Sequence, residues 1–160
     1  MYNYGCPVDL DLVATVHLSG LALTAEVVRR LHAAGFPDLR TSHGFVIQHV
    51  VDGPRPAGEI ARRMGITQQG ASKAVGELVE LGYLERTAAA GDARVRQVGL
   101  SSRGRDAVET TRRIRAEVEA ELRATLGADR ADALHAAATA ALEWAGGGDA
   151  VRQRRVPPTS

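Results

Sequence analysis

The sequence predicts a mainly α fold carrying one small β-hairpin, and three observations lead there. Apolar residues recur at threes and fours near both ends of the chain, which is the helical period. The composition is 44% hydrophobic but only 4% aromatic, so the core must be built from Leu, Val, Ile and Ala, a mixture that suits helices. Between the ends, Ala57 to Leu100 reads as a short helix, a tight turn, a second helix and a hairpin. A chain of 160 residues fits one domain, or one domain with an oligomerisation arm.

Met1 to Pro7 is a short arm containing Tyr2, Tyr4 and Cys6. From about Val8 to Ala34 a first helix is marked by Leu12, Val13, Val16, Leu21, Leu23, Val27, Val28 and Leu31, and Gly35-Phe36-Pro37 ends it. This helix is longer than a helix-turn-helix needs, so it is expected to serve a partner subunit as well. Thr41 or Ser42 is placed to cap a second helix carrying Phe45, Val46, His49 and Val50, and Asp52-Gly53-Pro54 stops it.

In the central stretch, Ile60, Ala61, Met64, Ile66, Ala71, Ala74, Val75 and Leu78 suit two helices crossing at a steep angle. Gly65 stands where the first must stop, the cap position that favours a left-handed backbone. Thr67 then begins the second helix, its hydroxyl placed to accept from a first-turn amide. Thr67, Gln68, Gln69, Ser72 and Lys73 share the exposed N-terminal end, with no carboxylate before Glu77. Amides, hydroxyls and an ammonium are the groups that bond base edges and phosphates.

Tyr83 to Arg86 reads as a strand, Ala88 to Gly91 as a tip, and Arg94 to Leu100 as the return strand, although Val95 falls on the opposite face from Val98 and Leu100. Ser101 begins a long helix through Val108, Ile114, Val118 and Leu122 to about Leu126, where Gly127 breaks it. A last helix runs from about Asp129 to Ala145 with Leu134, Ala138, Ala141, Leu142 and Trp144. Gly146-Gly147-Gly148 is expected to end the fold, leaving a flexible basic tail with Arg152, Arg154 and Arg155. The chain thus divides into an arm and first helix (1–34), a central region (35–100), C-terminal helices (101–146) and the tail (147–160). Both end regions carry more apolar surface than one chain needs, which implies a homodimer presenting two copies of the central unit.

The formal net charge is only +1, so any nucleic-acid face must come from local placement. From Pro54 to Arg105 there are nine basic residues against five acidic ones, an excess of four positive charges where the central stretch lies. Lys73 is the chain's only lysine, a scarcity that an Ala-, Gly- and Arg-rich composition explains.

The chain resembles the MarR family of bacterial transcription regulators, a winged helix-turn-helix family. Ile66 to Val75 is similar to that family's recognition helix, and Leu81-Gly82-Tyr83-Leu84-Glu85-Arg86 to its exit into the wing. Asp92-Ala93-Arg94, followed by Val98, Leu100, Ser101 and Gly104, matches the wing signature of Asp-x-Arg, a strand, then Leu-Ser/Thr-x-x-Gly. The resemblance implies a winged helix-turn-helix core bracketed by dimerisation helices. It further implies a homodimer on a pseudopalindromic duplex DNA site, commonly a repressor released by a small ligand or by oxidation. In the family, the Arg matching Arg94 enters the minor groove and the Asp matching Asp92 holds it. Gln68 and Gln69 are then candidates for base edges, and Thr67, Ser72 and Lys73 for phosphates. The sequence departs from the family at Ala88-Ala89-Ala90 and at Gln97.

Effector candidates are fewer. His17 and His43 are placed to line a pocket between the first two helices and the dimer base, though core or surface histidines are the default. Cys6 is a candidate redox thiol, with an incidental thiol the simpler reading because no basic residue lies near it in sequence. A single cysteine forms no internal disulfide, which agrees with a reducing compartment. No His pair has i, i+4 spacing and no metal motif, phosphate loop or nucleophile elbow appears, so neither a metal, a cofactor nor an enzyme activity is expected. With no uninterrupted apolar run of 18 residues and no leader at Met1, the expectation is a soluble cytoplasmic protein without a membrane partner. A winged-helix protein-interaction module without DNA binding is the other class, and a redox-sensing regulator the other trigger.

Overall fold

The computed structural model of the chain describes residues 9–89 and 92–152. Its elements, in order, are α1 (Leu12–Ala33), α2 (Thr41–Ile47), α3 (Ala57–Met64), α4 (Gln68–Glu80), β1 (Leu84–Ala89), β2 (Asp92–Leu100), α5 (Ser102–Leu126), α6 (Ala128–Trp144) and α7 (Gly147–Arg152). The strands form a two-stranded antiparallel hairpin, running from Leu84 opposite Leu100 to Ala88 opposite Arg96, with a register shift at Ala88/Ala89. The fold is therefore mainly α with a winged helix-turn-helix, as its pattern predicts.

One core holds the central unit together. Ile60 and Met64 of α3, Val75 and Leu78 of α4, Tyr83, Leu84 and Val98 of the wing, and Val46, Ile47 and Val50 meet in it. Ala107 and Ile114 of α5 and Leu31 of α1 close it from outside. Each fully buried aliphatic side chain stabilises the fold by roughly 1.5–3 kcal/mol. These residues recur at threes and fours on their helices, so each helix is fixed in rotation by the stripe it buries.

α1 is different. Asp11 caps it, its carboxylate accepting from the Ala14 amide at 2.8 Å. Leu31 is the only buried residue of the helix, while Leu12, Val13, Val16, Leu18, Leu21 and Leu23 are exposed, the first at 78%. By length and composition this helix could cross a membrane, with a mean hydropathy of 1.3.

Its last turns pack against α5. Arg30 Nη1 and Nη2 donate to Glu121 of α5 at 2.7 and 2.6 Å, and Arg30 Nε donates to Glu26 at 2.6 Å. Arg29 donates twice to Glu26, at 2.8 and 2.7 Å. Hydrogen bonds from Arg29, then from Arg30, hold the Glu26 carboxyl down at about 2. Arg30 likewise holds Glu121 below the usual carboxylate range.

The structure differs from the sequence expectation in three places. The cap of α2 is Arg40 rather than Thr41 or Ser42, because the Arg40 amide finds its acceptor in His43 Nδ1 at 3.3 Å. The wing gains a bridge to a third segment, since the Arg55 and Val98 amides donate to each other's carbonyls at 2.9 and 2.8 Å. The triple glycine does not end the fold but reverses it. Gly146 turns the chain at φ 74°, and α7 then runs so close that a Cβ on Gly147 or Gly148 would collide with Leu142 or Glu143. Arg152 secures the return by donating to Glu143 at 2.9 Å and Asp149 at 2.8 Å. Residues 147–152 are thus helix, and the expected tail beyond them lies outside the described residues, as does Cys6.

Candidate nucleic-acid interface

The site is built on the α3–α4 turn. α3 stops at Gly65, which adopts φ 70° and ψ 27°, and the Ile66 amide reaches back to the Ala61 carbonyl at 3.1 Å. Thr67 is extended and caps α4, its hydroxyl accepting from the Gly70 amide at 3.1 Å. α4 buries Ala71, Val75 and Leu78 on its inner face. Thr67, Gln68, Gln69, Ser72 and Lys73 are therefore left on the outer face, all five exposed. The Gln68 carboxamide leans toward α3, its nitrogen 3.8 Å from where a Cβ on Gly58 would stand.

The wing is anchored beside this helix by the turn into α5. Tyr83 is fully buried, its ring 6.3 Å from that of Phe36. The Arg103 guanidinium lies 4.8 Å over the Tyr83 ring, donates to its hydroxyl at 3.1 Å and stands 3.7 Å from Asp38. Ser101 Oγ donates to the Gly82 carbonyl at 2.6 Å while accepting from the Gly104 amide at 3.0 Å, so one hydroxyl both caps α5 and holds the strand entry. Arg86 and Arg96 are exposed on the two strands. Asp92 opens β2 and Arg94 lies within it, but their side chains lie outside the described residues.

Residues 38–95 match the model of the MarR family. Over these residues, which hold the helix-turn-helix and most of the wing, the chain is similar to that family. Its fold is shared by the YusO protein of Bacillus subtilis, 22% identical over 81% of this chain and 94% of that one, with a TM-score of 0.62. RV1404 from Mycobacterium tuberculosis is 19% identical, covers 88% of this chain and 98% of its own, and gives a TM-score of 0.68. MepR of Staphylococcus aureus, solved as a complex with DNA, is 19% identical, covers 84% and 98%, and gives 0.61. No curated protein matches the chain by sequence.

Behind the wing and its helices, α1, α2 and α5 line an open cavity of about 490 Å³. Val27, Val28, Leu31, Phe45, Val51 and Val108 give it apolar walls. Thr24, Thr41 and Thr111 add hydroxyls, Arg40, Arg112 and Arg115 add cations, and Asp52 is the single acid of the lining. Sequence reading missed these residues. The signal available was the spacing of Val108, Thr111, Arg112 and Arg115, which puts apolar, hydroxyl and cationic groups on one face of α5.

Neither His17 nor His43 is part of this lining. His17 is exposed on α1, and His43 is buried beneath Arg40, its Nε2 lying 3.0 Å from Arg40 Nη2 and 3.5 Å from Glu77 of α4. Arg40 also pairs with Glu77 directly. No cluster of three His, Cys, Asp or Glu placed to hold a metal occurs among the described residues.

Proposed function

We propose that this chain is a homodimeric transcription regulator that binds a pseudopalindromic duplex through two copies of α4 and two wings, and acts as a repressor released by a small apolar ligand, a phenol for example. The observation that carries the DNA-binding reading is the exposed set Thr67, Gln68, Gln69, Ser72 and Lys73 on a capped helix end beside an Arg-bearing wing. MepR, which shares the fold, has been solved on DNA. In this reading Gln68 and Gln69 face bases, Thr67, Ser72 and Lys73 face phosphates, and Arg94, held by Asp92, enters the minor groove.

The dimer follows from surface that one chain leaves open. Leu12, Val13, Val16, Leu18, Leu21 and Leu23 of α1, with Leu134, Leu142 and Trp144 of α6, are exposed, Trp144 at 90%. A patch of this kind marks an interface. A bilayer is the poorer partner for α1, because its last turns carry the charged Arg30–Glu121 pair, which ties the helix to α5. A soluble, cytoplasmic regulator fits these features, and the α1–α2–α5 cavity is the place for its effector.

The test is a mobility-shift titration of the full chain on duplex DNA from upstream of its own gene, repeated across salt. Binding through several Arg and Lys contacts should fall by about 10³-fold or more between 50 and 200 mM salt. Absence of binding at low salt would leave the protein-interaction module as the better reading. Peroxide is added in parallel, and release that Cys6→Ser abolishes would replace the ligand trigger by a redox one.

A further inference from the structure

We infer that Arg103 is a positioning residue for the wing, tying the root of the hairpin to the loop between α1 and α2, an inference that rests on the DNA-binding reading above. Tyr83 is that root. It precedes β1, its amide donates to the Leu78 carbonyl of α4 at 2.9 Å, and its carbonyl accepts from the Ser101 amide at 3.1 Å, where β2 passes into α5. Its side chain is fully buried, and a buried phenol hydroxyl needs a partner, which Arg103 Nη2 supplies at 3.1 Å. The loop reaches Tyr83 by two routes. The Phe36 ring meets the Tyr83 ring directly, with centroids 6.3 Å apart. Asp38 reaches it through Arg103, whose guanidinium stands 3.7 Å from the carboxylate and 4.8 Å from the ring centroid.

The loop is itself fixed to the end of α1. The Phe36 amide donates to the Leu31 carbonyl at 3.2 Å, His32 Nε2 donates to the Leu39 carbonyl at 2.7 Å, and Leu39 is buried. The Arg103 stem adds cover at the other end: its Cδ lies 4.0 Å from where a Cβ on Gly82 would stand, so the side chain runs over the turn that leads into Tyr83. A hairpin held at such a point is a lever. From Leu84 to Ala89 the strand extends about 17 Å, so a tilt of about 5° at Tyr83 moves the tip by about 1.5 Å. That is more than the spread of distances over which a hydrogen bond survives. Arg94, which lies in β2 toward the tip, therefore keeps or loses its groove contact according to how the root is held. Arg86 and Arg96 are exposed on the strands, whereas Arg103 directs its charge at protein groups, so its effect on DNA passes through the wing.

The experiment compares Arg103→Met, which keeps the stem and removes the cation, with Asp38→Asn, each in the full chain. Without DNA, amide hydrogen exchange in Arg103→Met should be at least about threefold faster across β1 and β2 and unchanged in α6. Binding to the duplex from upstream of its gene, followed by fluorescence anisotropy at fixed salt, should weaken about fivefold in Arg103→Met and about twofold in Asp38→Asn. Placed beside Arg94→Ala, Arg103→Met should weaken binding no further, because the contact it positions is already gone. Equal or tighter binding by Asp38→Asn would overturn the inference, tighter binding by showing that the freed guanidinium contacts phosphate itself. So would a fivefold loss that persists beside Arg94→Ala, or wing amides that exchange as in the wild type. An acceleration shared equally by α6 would also overturn it, since that marks a general loss of stability. If the chain binds no DNA, or Arg94→Ala binds as the wild type does, the DNA-binding reading of the wing fails. The exchange measurement still decides whether Arg103 holds the hairpin.

Discussion

Gly104 and Tyr83 touch backbone to backbone: a Cβ on Gly104 would collide with the carbonyl oxygen of Tyr83. The first turn of α5 thus lies directly on the residue that enters the wing, and the Ser101 hydroxyl bonds both sides of the contact. Gly104→Ala should destabilise the fold by about 1–3 kcal/mol, since neither backbone can retreat without moving an element. A urea midpoint equal to the wild type's would show that the contact is loose. Gly76→Ala provides the opposite sign. Gly76 is in mid-α4 with nothing within 4 Å of its would-be Cβ, so the substitution should stabilise by about 0.5–1 kcal/mol.

The turn between α3 and α4 depends on Gly65 at φ 70°. A Cβ there meets no neighbour, so the cost of Gly65→Ala is conformational alone. It should come to about 1–2 kcal/mol, seen as a lower melting temperature with the same helical signal.

DNA contacts of the two kinds should separate by substitution. Arg94→Ala should weaken binding across most site sequences and flatten the salt dependence by about one phosphate contact. Gln69→Ala should cost about 1–3 kcal/mol at particular base positions and little elsewhere. A loss spread evenly over all site variants would assign Gln69 to the backbone.

Acid should loosen α1 from α5. Glu26 has its folded value at about 2, below the ordinary 4.5, and Glu121 is lowered too, so both favour the folded state in their ionised forms. That stabilisation is fully present above the unfolded value and is lost as pH falls from about 4.5 toward 2. Thermal melts over that range should drop more steeply for the wild type than for Glu26→Gln paired with Glu121→Gln. Parallel curves would mean that the network is screened by water.

Local chemistry is what the sequence by itself determined. Helical periods, the glycine at position 65, the Thr67 cap and the Ser101–Gly104 signature each act within a few residues, so the winged helix-turn-helix and the exposed face of α4 were legible without coordinates. Only the tertiary structure decided the rest. The Arg55–Val98 bridge, the cavity between α1, α2 and α5, and the meeting of Arg40 with Glu77 all join residues distant in the chain. Arg40 and Glu77 are 37 positions apart, and no periodicity on either helix signals the other. The physical reason is that a helix's own residues fix which face is apolar, while the angle at which two such faces pack decides which charged groups at their edges meet.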